Sequence, residues 1–66
     1  MSIAKVIEVI AESDKGWADA ARNAVTEASN SVHNIRHVYV ENMHAIVKDN
    51  QITSFRLNAK VTFILD

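Results

Sequence analysis

Apolar and polar residues alternate with a period of two over three stretches of the chain and recur at helical spacing over one. Residues 3–12, IAKVIEVIAE, place Ile3, Ile7 and Val9 on one side of an extended backbone and Val6 and Ile10 on the other. Apolar residues on both sides predict a strand covered from two directions. The spacing then changes. Trp17, Ala21, Ala24, Val25, Ala28 and Val32 form one helical stripe, while Lys15, Asp19, Arg22, Asn23, Thr26 and Asn30 fall mostly elsewhere. Ser13 or Asp14 is the expected N-cap, since either side chain accepts a bond from a free backbone N–H. Ser29, Asn30 and Ser31 weaken the last turn, and Asn34 is the expected stop.

Two further strand-like segments, Ile35 to Val47 and Ile52 to Leu65, flank the tetrapeptide KDNQ. Asp49 and Asn50 tolerate the left-handed backbone that a two-residue hairpin loop requires. Such a loop sets the register: Lys48 opposite Gln51, His44 opposite Phe55, Val40 opposite Ala59 and Val38 opposite Val61. One face of the hairpin then carries Val38, Val40, Ile46, Phe55, Leu57, Ala59, Val61, Phe63 and Leu65, and this face meets the helix. The other carries His37, Tyr39, Glu41 and Met43 beside Arg56, Asn58, Lys60 and Thr62. Strict alternation sends His37 and His44 to opposite faces, and only a β-bulge between them brings both to one side; without one, His44 packs against Phe55. The expected fold is α+β, in the order β-α-β-β, with one three-stranded antiparallel sheet packed on one helix in a single domain, residues 1–66.

Element lengths carry a consequence. A helix of about 18 residues spans roughly 27 Å, whereas strands of about 13 to 14 residues reach roughly 45 Å. The helix is too short for the hairpin beneath it, and Ile35, Phe63, Leu65 and the second face of the first strand are left over. A chain of 66 residues without cysteine has no disulfide to compensate for a small core. Association with further copies of itself is expected, in a closed symmetric arrangement that also removes the sheet edges.

Charge and composition narrow the function. Seven Lys and Arg are scattered among eight Asp and Glu, for a net charge of −1. No basic stripe points to nucleic acid, and no apolar run reaches the roughly 20 residues that span a bilayer. With no signal-peptide pattern after Met1, a soluble cytoplasmic protein is expected. There is no cysteine nucleophile, Gly16 is the only glycine, and no Ser-His-Asp constellation is readable, so an enzyme is not expected. Arg56 and Lys60 near Glu41 read as cross-strand ion pairs in preference to an anion site. Trp17 reads as a core residue whose indole N–H needs a partner. His33, at the end of the helix, suits the negative pole of the dipole when protonated.

Taken together, the helix start Ser13-x-x-x-Trp17-x-x-Ala20-x-x-x-Ala24, the segment SVHNIRHVYVENM and the C-terminal AKVTFIL resemble the dodecin family, over a span from about Lys5 to Leu65. The resemblance implies a hollow homododecamer that binds and stores a small ligand at subunit boundaries. The family ligand is flavin (riboflavin or FMN), stacked in pairs between tryptophans of neighbouring subunits. It implies three ligand-binding positions. His37 stands where flavin-binding members have the stacking tryptophan. Arg56 stands where they have a glutamine that bonds the isoalloxazine edge. His44 stands at a third contact, an arginine in some bacterial members. An imidazole offers less stacking surface than an indole, and arginine donates hydrogen bonds but accepts none, so weakened flavin binding is expected. NIRHV and SFRLN are similar to a second branch of the family, the calcium dodecins, which makes a calcium- or anion-binding structural assembly the alternative. Calcium takes six to eight oxygen ligands, and the carboxylates of Glu8, Glu12, Asp14 and Glu41 are not clustered in sequence.

Overall fold

Residues Gln51–Leu65 alternate more strictly than any other part of the chain, and they form the centre of the sheet. A computed structural model describes residues 3–65. Strand β1 (Ile3–Ser13) leads to helix α1 (Trp17–Ala28), then to β2 (Ile35–Lys48) and β3 (Gln51–Leu65). The sheet order is β1-β3-β2, and β3 pairs antiparallel with both neighbours. The expected α+β arrangement of one helix on a three-stranded antiparallel sheet is therefore the observed one.

One face of the sheet is closed by the helix. Leu57, Ala59, Val61 and Phe63 of β3 are buried, with Val61 fully inaccessible. Ala20, Ala24 and Ala28 press on this face, four residues apart and all buried. Alanine at each contact lets the helix axis approach the sheet, so the core is built mainly from backbone proximity and a few larger side chains. Leu57 and Val61 are the largest fully buried ones, each worth about 1.5–3 kcal/mol of burial. The buried stripe is rotated by one position from the expected one: Ala20 takes the central place, and Ala21 and Val25 flank it half-buried.

The helix entry also differs. The N-cap position is Gly16, without a side-chain cap bond, at a φ of 157° that side-chain-bearing residues rarely adopt. Ser13 is still in the strand. Its buried hydroxyl donates to Asp19 Oδ2 at 2.7 Å and accepts from the Lys15 N–H at 2.9 Å. It thus ties the first helical turn to the end of β1. The helix stops at Ala28, after 12 residues, where the Ser29 hydroxyl donates to the Thr26 carbonyl at 2.7 Å and competes with further helical bonding. Val32 and His33 lie beyond it, so His33 does not reach the last turn.

At 12 residues the helix covers about 18 Å of a molecule whose Cα trace is 52 Å long. The overhang is larger than expected and lies at both ends: Leu65 and, on the second face of β1, Val6 and Ile10 are exposed as expected. Phe63 is buried, not left over. The segment from Ser31 to Asn34 lies beside it, held by the Ile64 N–H on the Asn34 carbonyl at 3.1 Å. The hairpin tip is uncovered as well. β1 ends opposite Phe55, and the residues from there to the turn form a two-stranded arm on which Val47 and Ile52 are exposed. Asp49 and Asn50 make the turn with φ of 52° and 62°, the left-handed pair expected for a two-residue loop.

Register is regular at the turn (Lys48 opposite Gln51) and again at Val40 opposite Ala59 and Val38 opposite Val61. Between these points it slips twice. Ile46 pairs with Ser54 while Val47 pairs with Ile52, so Thr53 is the extra residue on β3. Asn42 pairs with Asn58 while Val40 pairs with Ala59, so Glu41 is the extra residue on β2. These two bulges offset each other from Val40 back to His37 but shift everything between them by one, and a third shift lies between Ile35 and His37. His44 therefore lies opposite Arg56, and Phe55 lies opposite Ala45 instead of His44. Met43 moves to the helix side, opposite Leu57, and Ile46 moves to the open side, opposite Ser54.

Candidate ligand-binding face

The open face of the sheet is a lattice of rows, because residues directly opposite on antiparallel strands share a face. Its residues from β1 are Val6, Glu8, Ile10 and Glu12, from β3 Thr62, Lys60, Asn58 and Arg56, and from β2 His37, Tyr39, Asn42 and His44, in that lateral order. Glu12, Arg56 and His44 form one row. Glu8, Lys60 and Tyr39 form another, and Val6, Thr62 and His37 a third.

The bulge at Glu41 brings His37 and His44 to the same face, as their use in one surface requires. They are not neighbours. Their partners Thr62 and Arg56 are six residues apart on β3, which places them about 20 Å apart along the strand. Within one chain the three expected positions therefore divide: His44 and Arg56 side by side, His37 remote. All three lie on strands whose other face is held by the core, so their backbone positions are set by packing.

Two ion pairs cross this face. Arg56 Nε donates to Glu12 Oε1 at 2.7 Å, and Arg56 Nη2 meets the same oxygen at 2.6 Å. Lys60 Nζ lies 3.3 Å from Glu41 Oε1. The expected pairing of Lys60 with Glu41 is present. Arg56 is paired with Glu12 of β1 and not with Glu41, because β1 lies directly against β3 and presents Glu12 in the same row. Both pairs are half-exposed and are worth about 0–1 kcal/mol each. The Glu12 carbonyl also accepts from Asn23 Nδ2 of the helix at 3.2 Å, which anchors the backbone beneath that carboxylate.

Trp17 connects the two faces. Its ring meets Phe55 edge-on, with centroids 4.9 Å apart and planes at 76°. Its indole N–H donates to the His44 carbonyl at 3.2 Å. The expected partner for the indole is thus the backbone of a candidate site residue. The ring itself lies on the helix side and does not supply a stacking surface for the open face. Tyr39, opposite Lys60 and 61% exposed, presents a phenol ring on the open face, where alternation places it. Glu8 and Glu12, scattered carboxylates in the sequence, come beside Lys60 and Arg56 only through the pairing of β1 with β3.

A cleft of about 450 Å³ opens between Glu8, Ile10, Glu41 and Asn58. Two carboxylates and one carboxamide give oxygen donors suited to a hard cation, short of the six to eight oxygens that calcium takes. Among the described residues no three His, Asp or Glu side chains converge as a metal cluster.

Such a unit is a small α+β domain with two unlike sheet faces. One sheet face holds the fold together, and the other presents ordered polar and aromatic groups with nothing of its own chain over them. The dodecin family profile matches residues 3–66, and the chain belongs to the dodecin family. Dodecin from Streptomyces davaonensis is 29% identical and superposes with a TM-score of 0.93 over 98% of this chain and 96% of that one. Calcium dodecin of Mycobacterium tuberculosis, described as a calcium-chelating immunodominant antigen with a novel calcium-binding site, is 32% identical. It superposes with a TM-score of 0.83 over 97% of this chain and 91% of that one. A variant of Thermus thermophilus dodecin, 17% identical with a TM-score of 0.93 over 100% of this chain and 98% of that one, shares the fold. Sequence identity favours the calcium branch by a small margin, and backbone similarity favours the Streptomyces protein. No curated protein matches the chain. Among the described residues no helix is long and apolar enough to cross a membrane.

Proposed function

We propose that this chain builds a closed homododecameric shell that holds a small planar ligand at subunit boundaries on the open sheet face. The observation that carries this reading is the division of the sheet. His37, Tyr39, His44 and Arg56 stand on a face that the chain's own helix leaves bare, while the exposed Val47 and Ile52 of the hairpin arm demand cover from another copy. Flavin is the ligand the family resemblance implies. The residues fit it in part. His37 supplies a smaller stacking surface than an indole, Tyr39 adds a phenol on the same face, and Arg56 donates but does not accept. Flavin binding is therefore weaker than in members with tryptophan and glutamine at these positions. The role is storage or sequestration in the cytoplasm and not catalysis, with neither nucleic acid nor membrane as partner.

A calcium-binding shell is the second reading. It is favoured by the 32% identity to calcium dodecin and by the Glu8, Glu41 and Asn58 oxygens around one cleft. The oxygens missing from a full set would come from a neighbouring subunit.

Riboflavin fluorescence titration separates the readings, since stacking on aromatic groups quenches the flavin. Quenching that saturates at micromolar protein supports the flavin site. Unquenched riboflavin with calcium bound in equilibrium dialysis supports the calcium shell. Light scattering tests the assembly itself: twelve copies of 7.4 kDa give about 89 kDa, and a stable 7.4 kDa species overturns it.

A further inference from the structure

We propose that Glu12 is a specificity-determining residue of the open face: by occupying Arg56 it makes the site select against phosphate-bearing ligands and in favour of neutral ones. The geometry is specific. A guanidinium binds a carboxylate or phosphate most strongly through a planar pair of N–H groups on one edge. In Arg56 the Nε and Nη2 of one edge both converge on Glu12 Oε1, at 2.7 and 2.6 Å. One of the two edges by which Arg56 could grip an oxyanion is thus already filled from within the chain, and the charge beside the other is offset by the same carboxylate.

The filling group is held in place. Glu12 lies opposite Arg56 in the β1–β3 register, and the Asn23 side chain of the helix holds the Glu12 carbonyl at 3.2 Å. An incoming phosphate has to displace a carboxylate that is present at very high local concentration, and it meets that carboxylate's charge at short range when it does. The rest of the face adds to the effect. Glu8, Glu12 and Glu41 outnumber Arg56 and Lys60, and Lys60 is engaged by Glu41 at 3.3 Å. No guanidinium or ammonium on these rows stands without a carboxylate beside it. His44, directly opposite Arg56, completes a row that offers a neutral ligand ring-nitrogen and N–H contacts.

The test uses the assembled protein and two probes. Inorganic phosphate, followed by phosphorus NMR line broadening, reads the anion site without reference to flavin. For Glu12→Gln the phosphate affinity is expected to rise about tenfold over the unsubstituted protein, the size of effect expected from removing one nearby unit charge at a partly solvated position. The gain is expected to vanish in Glu12→Gln combined with Arg56→Gln. Equal phosphate binding with and without Glu12 overturns the proposal, and so does a gain that survives loss of Arg56. Should Glu12→Gln fail to assemble, Glu12→Asp retracts the charge by one methylene. A gain of about threefold is expected from that weakened contact, and no gain counts equally against the proposal.

The second probe compares FMN with riboflavin, and this arm rests on the flavin reading above. The unsubstituted protein is expected to prefer riboflavin, and Glu12→Gln to shift the ratio toward FMN by about tenfold. A phosphate gain without any flavin binding overturns the flavin reading and leaves the role of Glu12 standing. Flavin binding with an unchanged ratio overturns the role of Glu12 alone.

Discussion

Leu57 and Asn58 are adjacent in β3 and belong to different worlds. Leu57 is 1% exposed beneath the helix, packed among Ala11, Ala20, Ala24 and Ala59. Asn58 faces the open side, between Ile10 of β1 and Asn42 of β2. The same contrast repeats along the strand, with Ala59 against Lys60 and Val61 against Thr62. One face spends its residues on holding a small chain together. The other is free to carry Arg56, Lys60 and His44 at little cost to folding, because their backbone is already positioned by what lies beneath. A 66-residue unit with so small a core is marginal by itself, and burial by other copies, as proposed above, would add to it.

The sharpest way to break this contrast is to truncate one neighbour and then the other. Leu57→Ala is expected to cost about 2–5 kcal/mol, read by urea unfolding of the assembled protein. Asn58→Ala, one residue away, is expected to stay within about 0.5 kcal/mol. Comparable losses from both would mean that the open face is part of the fold's own stabilisation. Next in size is a gain on the open face. His37→Trp is expected to tighten riboflavin binding about tenfold through added stacking area, measured by fluorescence quenching. Unchanged affinity would place the fault in the shape of the pocket and not in its surface.

A smaller effect tests the link between the faces. Trp17→Phe keeps a ring against Phe55 but removes the bond to the His44 carbonyl, and is expected to cost about 1 kcal/mol. Amide hydrogen exchange at Ala45 and Ile46 should quicken in the same variant; exchange that does not change would show that the bond does not hold β2. The smallest effect belongs to the exposed charges. Glu41→Gln is expected to lower stability by less than about 1 kcal/mol, and the loss should shrink further in high salt. A larger, salt-independent loss would show that Glu41 is buried by a neighbouring subunit.

Much of this was legible from local pattern. Alternation located β2 and β3 to within a residue at either end, and the Asp49-Asn50 pair named the turn. The helix was found but overestimated, because Ser29 turns its hydroxyl back to the Thr26 carbonyl where spacing alone carried the stripe on to Val32. Of the candidate site, His37, His44 and Arg56 were named from the family resemblance, and their shared face depended on a bulge whose position no residue type announces. Glu41 carries no glycine or proline to mark it. The compensating bulge at Thr53 returns the register to its starting value, so the correct pairing of Val40 with Ala59 conceals the shift between.

What the chain determined by itself is whatever depends on near neighbours: a period of two or of 3.6, a turn from two residues that accept left-handed backbone, an overhang from unequal lengths. The rows across the sheet were decided only when distant segments met. Glu12 and Arg56 are 44 residues apart in sequence and bonded in space, joined by a pairing of first and last strands that no turn imposes. A strand's repeat records which side a residue faces but not what stands beside it, and it is the neighbour across the sheet that sets the charge a ligand meets.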